Sequence, residues 1–459
     1  MKETGRAVYH DIVNLILTAV SVAEYYFYWR NFVNGKLVPP YDHRGNFLIV
    51  AVYAFLTIVF FYAMGGYKVG SYRRNRIALS LTIGALLADF ADWMVAMLIA
   101  GTAEHAVKLL VGYIILFLAQ TVSLFIVAMV AISLQRNLFP PYQLLQITGQ
   151  HFNMLPQKMN SRRDKYVIAE EISCDEPMEV IKAKIDQYDA TLINDTPAEI
   201  RNAVLKYCFE IKKRVYFTPK ISDIMVRGAN ELDLFDTPLY YRRNRQTSFW
   251  FRMIKRIGDI IISSIGIVLT SPIMLITAIA VKKYDNGPVF YRQTRSTIGG
   301  KEFKLIKFRS MIVNAESKGE VRLAQENDSR ITPIGKFIRA TRIDELPQFF
   351  NILAGDMSIV GPRPERPELI AKYCEEVPEF AYRLRVKAGL TGYAQVYGKY
   401  NTTSYDKLKL DMIYVEKQSV LLDLQLILLT IRVIFTKEST EGLQEGEIDA
   451  DVRNQNKDE

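Results

Sequence analysis

Asp344 and Glu345 stand side by side in the run RATRIDELPQFFNILAGDMSIVGPRP, residues 339–364. Two adjacent carboxylates among arginines need not share one proton and could serve different roles at an anion-binding site. From Glu345 to Leu353 the apolar residues Leu346, Phe349, Phe350 and Leu353 recur at helical spacing, with Pro347 tolerated in a first turn. The pattern predicts a helix with Asp344 as N-cap and Gly355 as its stop. An aspartate there is held ionised by free backbone N–H groups, and the same helix end attracts phosphate. Neighbouring helical residues point about 100° apart, so the two acids can take different roles. A plain helix cap would use the same residues, and the pair alone does not decide between the two readings.

The surrounding cations bear on that choice. Phe303 to Met311 alternates apolar and basic residues, which predicts a strand carrying Lys307 and Arg309 on one face. With Arg339 they could neutralise a diphosphate. Arg342 would either do related work or balance local charge. Arg363 sits between Pro362 and Pro364, with little backbone freedom, and suits a bidentate grip on a phosphate.

The run from Asp344 to Pro364 resembles the signature of the bacterial sugar transferases, the monotopic polyprenyl-phosphate phosphoglycosyl transferases. GPVFYRQTR (287–295), FKLIKFRSM (303–311) and KAGLTGYAQVYG (387–398) look like three further blocks of that family. Tyr393 and Tyr397 stand where relatives often carry Trp and Asn, so sugar and nucleotide preference are not carried over. The resemblance implies transfer of a sugar-1-phosphate from a UDP-sugar to polyprenyl (undecaprenyl) phosphate, with release of UMP. It implies Asp344 as nucleophile, Glu345 as its orienting partner and Mg²⁺ held by Asp344. It also places Asp411 and Tyr414 near the site. Two rival readings are a glycosyltransferase that moves only the sugar and releases UDP, and a non-catalytic scaffold of polysaccharide export. Against the first, the only Asp-x-Asp is Asp449-Ala450-Asp451, in the acidic tail.

The elements that must position these residues begin in a membrane. Four apolar segments, near 11–29, 46–65, 78–100 and 107–134, are each long enough to cross a bilayer core of roughly 30 Å. Lys68, Arg73, Arg74 and Arg76 place the second loop, and the N-terminus with it, on the cytoplasmic side, although Arg30, Lys36 and Arg44 in the first loop pull the other way. Asp89 and Asp92 lie inside the third segment, one helical turn apart, and read as a buried pair or as part of an ion or lipid path.

Residues 143–245 read as a soluble α/β insert with strands at 144–149, 165–171, 190–195 and 214–219 and helices near 177–187 and 197–213. It resembles a shortened Rossmann-like domain. Gly149 stands alone where a glycine-rich turn would admit a pyrophosphate, so a regulatory or dimerising role is expected rather than a dinucleotide site. The apolar stretch 249–283 follows, with Lys255-Arg256 and Lys282-Lys283 at its ends. Basic flanks on both sides predict that both ends face the cytoplasm, and Ser271-Pro272 supplies the break for a re-entrant turn.

The expected fold class is therefore membrane α plus α/β. It comprises a four-helix transmembrane bundle (1–138), the Rossmann-like insert (139–245), a mixed α/β catalytic domain with a re-entrant helix over 250–282 (246–438), and an acidic disordered tail (439–459). The run 420–435 reads as an amphipathic helix. The net charge of +9 is met by anionic lipid and substrate phosphates rather than by nucleic acid. Cys174, Cys208 and Cys374 suggest no disulfide framework, and neither they nor the four histidines have zinc-ligand spacing. The expected partners are the UDP-sugar, polyprenyl phosphate, membrane lipid and a second copy of the chain, at a bacterial inner membrane.

Overall fold

The computed structural model describes residues 2–36, 40, 42–100, 103–149, 155–232, 236–242, 247–313, 328, 330–398 and 402–434. The expected tail, 439–459, lies outside them. The chain folds into two compact units, one of residues 1–147, 155–192 and 198–216, the other of 148–154, 193–197 and 217–459.

The first unit opens with α1 (Lys2–Tyr28), α2 (His43–Met64), α3 (Arg74–Ala100) and α4 (Ala103–Leu138). Helix α1 packs on α2 and α4, and α3 packs on the same two. These helices carry large apolar side chains outward, among them Leu15, Phe47, Leu98 and Val130. Asp89 and Asp92 point the other way and are 3% and 1% exposed. Each is matched by a tyrosine from a neighbouring helix: Tyr53 donates to Asp89 at 2.7 Å and Tyr113 to Asp92 at 2.6 Å. Outside water, such pairing is what lets a polar group be buried.

The insert elements are β1 (Tyr142–Thr148), α5 (Leu155–Asn160), β2 (Tyr166–Ser173), α6 (Met178–Ile185), β3 (Ala190–Asn194), α7 (Ala198–Glu210) and β4 (Arg214–Phe217). The strands form one sheet in the order β2-β1-β3-β4. Gly149 has a packing reason to be glycine: a Cβ there would lie 1.9 Å from the Asp195 carbonyl oxygen.

The second unit continues with α8 (Ile221–Arg227) and a short hairpin, β5 (Asn230–Leu232) and β6 (Leu239–Tyr241). Then comes α9 (Phe249–Asp285), a single helix of 37 residues with Pro272 inside it. The expected break is therefore not a break in the helical backbone. Proline removes the N–H that the Val268 carbonyl would receive, and the Ser271 hydroxyl donates to that same oxygen at 2.8 Å. Among the described residues five helical stretches are long and apolar enough to cross a membrane, α9 being the last.

Both ends of α9 are fastened to the core that follows it. That core holds the antiparallel pair β7 (Phe290–Ser296) and β8 (Glu302–Phe308), then α10 (Pro333–Ala340), α11 (Gln348–Ala354), β9 (Ser358–Val360) and α12 (Pro367–Glu376). It is completed by β10 (Gly389–Thr391), which pairs parallel with β9, and by α13 (Tyr393–Tyr397), α14 (Ser404–Lys417) and α15 (Val420–Ile434). Near the start of α9, buried Asp259 accepts from the Ile359 N–H at 2.9 Å and the Ser358 hydroxyl at 3.0 Å. Near its end, Val281 packs with Phe308 and Ile338, and Asp285 pairs with Arg309.

Candidate active site

Asp344 and Glu345 do not start a long helix. They occupy a single 3₁₀ turn, Ile343–Glu345, entered through Arg342 in the left-handed conformation (φ 55°), and α11 follows at Gln348. The expected N-cap fails for a local reason. A cap at Asp344 would put Pro347 at the third helical position, where there is no N–H to accept. The other end is as expected: Gly355, at φ 95°, turns the chain and donates back to Asn351 and Ile352. A non-glycine residue at Arg342's φ is strained by about 1–2 kcal/mol, a cost concentrated next to the two carboxylates.

The turn gives the two acids unlike surroundings. Arg363, 44% exposed between its prolines, donates to Glu345 Oε1 at 2.7 Å, and Arg342 stands 3.7 Å from Oε2. Burial pushes the Glu345 carboxyl up, but the two guanidiniums outweigh it and hold its pKa down at about 2. Asp344, 9% exposed, accepts no hydrogen bond among the described residues. Burial, and then the charge of Glu345, raise its pKa to about 6 against the pull of Lys307, Arg339 and Arg363. That reverses the expectation of an aspartate held ionised by a helix end. One carboxylate is fixed as an anion, and the other is left unpaired and basic.

Lys307 reaches this pair from β8, opposite Tyr291 in the strand register, with its ammonium 5.3 Å from the Tyr291 ring. Burial lowers its pKa to about 8; Asp344 partly restores it, and Arg295, Arg363 and Arg339 push it further down. Arg339 arrives on the last turn of α10, which Thr332 caps by accepting from the Gly335 N–H at 2.9 Å. The guanidinium of Arg339 is half-buried and has no hydrogen-bond or ion-pair partner among the described residues.

Three other expected site residues are engaged elsewhere. Arg309 lies beyond the end of β8, does not share the Lys307 position, and binds Asp285 and the Pro288 carbonyl instead. Asp411 is 1% exposed and ion-pairs at 2.8 Å with Arg383, which in turn holds the Arg363 carbonyl. Tyr414, also 1% exposed, donates to Asp423 at 2.8 Å and accepts from Lys255 at 3.2 Å. It ties α14 to α9 and α15.

The residues that sequence reasoning passes over form a second tier. Arg295 donates to the Pro364 carbonyl at 3.1 Å and pairs with Glu365 at 3.3 Å. Arg383 donates to the Arg363 carbonyl at 2.9 Å. Together they hold Pro362-Arg363-Pro364 from behind. Glu365 directly follows that motif and could have been noticed there. Nothing in the pattern of 378–385 marks Arg383.

No group of three or more His, Cys, Asp or Glu side chains is arranged for a metal among the described residues. Asp344 offers one unpaired carboxylate. That donor set fits Mg²⁺, which usually takes one or two carboxylates and fills its other positions with water and substrate phosphates.

The sequence model of the bacterial sugar transferases matches residues 250–437. The chain is 43% identical over 189 residues to a UDP-N-acetylgalactosamine-undecaprenyl-phosphate N-acetylgalactosaminephosphotransferase of Aeromonas hydrophila, covering 40% of this chain and 44% of that one. It is 37% identical over 190 residues to a UDP-glucose:undecaprenyl-phosphate glucose-1-phosphate transferase of Caulobacter vibrioides, covering 40% of this chain and 71% of the relative. A putative undecaprenyl-phosphate N-acetylgalactosaminyl 1-phosphate transferase of Bacillus subtilis is 50% identical over 131 residues, 28% of this chain and 73% of the relative. The match spans less than half the length of the Aeromonas protein, and in all three it falls short of half of this chain. With four motif blocks, a family match over the whole α9-to-α15 region and relatives covered over most of their length, the chain belongs to the bacterial sugar transferase family.

Proposed function

We propose that the chain transfers a sugar-1-phosphate from a UDP-sugar to undecaprenyl phosphate, releasing UMP, and so begins assembly of a surface polysaccharide or other glycoconjugate. The observation that carries this reading is the unpaired, raised Asp344 carboxylate beside an Arg-clamped Glu345. An Asp344 oxygen attacks the sugar-bearing phosphorus, and the bond from that phosphorus to the bridging oxygen breaks, so UMP leaves with the electron pair. The phosphosugar is then an acyl phosphate on Asp344. A phosphate oxygen of the lipid attacks the same phosphorus and displaces the carboxylate, giving the polyprenyl diphosphate sugar. Lys307, Arg339 and Arg363 offset the charge that gathers on the phosphoryl oxygens. Mg²⁺, held by Asp344 and the substrate phosphates, would supply further charge neutralisation. Chelation with EDTA should abolish turnover and added Mg²⁺ restore it; full activity in EDTA would remove the metal from this account.

A sugar-only transfer would release UDP, and a scaffold would release nothing, so the product nucleotide separates the three readings. The expected result is UMP, with ping-pong kinetics and no turnover in Asp344→Asn. UDP as product, or sequential kinetics with an active Asp344→Asn, would overturn the reaction proposed.

The pH dependence follows from the two shifted groups. Asp344 must be ionised to attack, which requires a pH above its value of about 6. Lys307 must be protonated to hold phosphate, which requires a pH below about 8. The kcat/KM profile should therefore be a bell with limbs near those values. Glu345→Gln removes the like charge that raises Asp344, so its acid limb should move to lower pH whatever its maximal rate. An unmoved limb would mean that Glu345 does not set the Asp344 pKa.

We also propose that α1–α4 form a transmembrane bundle in the bacterial inner membrane, and that α9 enters the same membrane and returns to the cytoplasmic side. Supporting the second point, Asp259 near one end and Asp285 at the other are bonded to one compact core, to Ile359 and Arg309 respectively. A crossing of roughly 30 Å of hydrocarbon would drag that core through the bilayer. With Cys174, Cys208 and Cys374 replaced, Trp250→Cys and Tyr284→Cys should both react only with reagent on the cytoplasmic side. Labelling of the second position from outside intact cells would show a true crossing.

A further inference from the structure

A cavity of about 910 Å³ in the second unit is not at Asp344, and none of its described lining residues belongs to the Asp344 cluster. It lies between the first turns of α9, the hairpin and its flanks, the Ile298–Gly300 turn and the stretch 381–387. Among the described residues six cations and two carboxylates line it, and part of that charge is already accounted for. Arg242 pairs with Glu416 at 2.5 Å, and Lys255 pairs with Asp423 at 2.6 Å. Arg256 donates to the Ile352 and Leu353 carbonyls at 2.7 and 2.8 Å, capping α11. Asp259 is taken by Ser358 and Ile359.

Arg252, Arg385 and Lys387 remain, with no ion-pair partner among the described residues. Lys387 shows the excess of positive charge: burial, and then Arg256 beside it, push its pKa down, only partly offset by Asp259 and Asp356. An anion in the cavity would satisfy all three.

The position of the cavity says where that anion comes from. On α9 the residues Arg252, Lys255, Arg256 and Asp259 share the face turned to the cavity. Trp250, Ile254, Ile257 and Ile261 lie on the opposite face and are 66%, 47%, 48% and 51% exposed. A helix with one apolar outward face and an aromatic at its first turn sits with that turn at headgroup depth. With that turn at headgroup depth, the cavity would lie at the level of lipid phosphates.

We propose that this cavity binds the phosphate headgroup of an anionic membrane phospholipid, gripped by Arg252, Arg385 and Lys387. Guanidinium forks suit a phosphate diester, and the ammonium adds a point charge. The site would seat the catalytic domain on anionic membrane independently of the reaction at Asp344. It needs the first turns of α9 to lie at a bilayer surface, and holds whether or not that helix turns back.

The test uses the full chain in phosphatidylcholine nanodiscs doped with a photoactivatable phosphatidylglycerol, with cross-linked peptides mapped by mass spectrometry. Adducts should concentrate on the peptides around 249–256 and 381–388. The triple variant Arg252→Gln/Arg385→Gln/Lys387→Gln should lower that yield by at least about tenfold, as expected for three basic groups near an anionic surface, while keeping its turnover in pure phosphatidylcholine. Excess inorganic phosphate or UMP should not compete. Adducts spread evenly along α9, or an undiminished yield in the variant, would overturn the site. Competition by phosphate or UMP would overturn its assignment to lipid. If the variant failed to fold, the wild-type adduct map would still decide between a defined site and ordinary surrounding lipid.

Discussion

The ion pair between Arg363 and Glu345 is the contact on which the arrangement at Asp344 depends. Two carboxylates one residue apart repel, and the repulsion is worth kilocalories at intermediate dielectric. Arg363 resolves it asymmetrically: its guanidinium, with Arg342 behind, fixes the charge on Glu345. Asp344 is then left with the unfavourable side of the interaction and a pKa of about 6. A group of that pKa is ionised in neutral solution yet more basic than an ordinary carboxylate, which suits a nucleophile that must also leave again. Removing Arg363 would return the pair to mutual repulsion and scramble which oxygen is free.

Keeping one guanidinium in place takes several layers of structure. The flanking prolines limit the backbone of Arg363, Arg383 holds its carbonyl, and Arg295 holds the next one. Arg383 is itself neutralised by buried Asp411, and Arg295 by Glu365. Further out, Lys255, Asp259 and Asp285 fasten α9 to the same core at both ends. The long apolar helix α9 is thus bonded into the same fold, and the Asp344 site is held in a fixed relation to its exposed apolar face.

The sequence made much of this legible. Alternation placed the insert strands, and the length of the apolar runs placed α2, α3, α4 and α9, to within a few residues, whereas α1 begins at Lys2, well before the apolar run that starts near residue 11. The Asp344–Pro364 run points to the candidate site because its charged residues are close in the chain as well as in space. Contacts that span long sequence separations were not legible. Arg309 looks like a partner of Lys307 by strand alternation, yet Asp285 claims it across a turn. Asp411 and Tyr414 sit near the site, but burial turns both toward structural partners. The expected aspartate cap failed on a detail that the sequence does contain, the missing N–H of Pro347.

The proposed reaction requires Asp344, and not Glu345, to be the nucleophile. The most direct measurement is mass spectrometry of the protein incubated with UDP-sugar and Mg²⁺ without lipid acceptor, followed by mapping of the modified peptide. A phosphosugar is expected on Asp344, absent in Asp344→Asn and still formed, more slowly, in Glu345→Gln. A phosphosugar on Glu345, or UMP release without any covalent adduct, would contradict it.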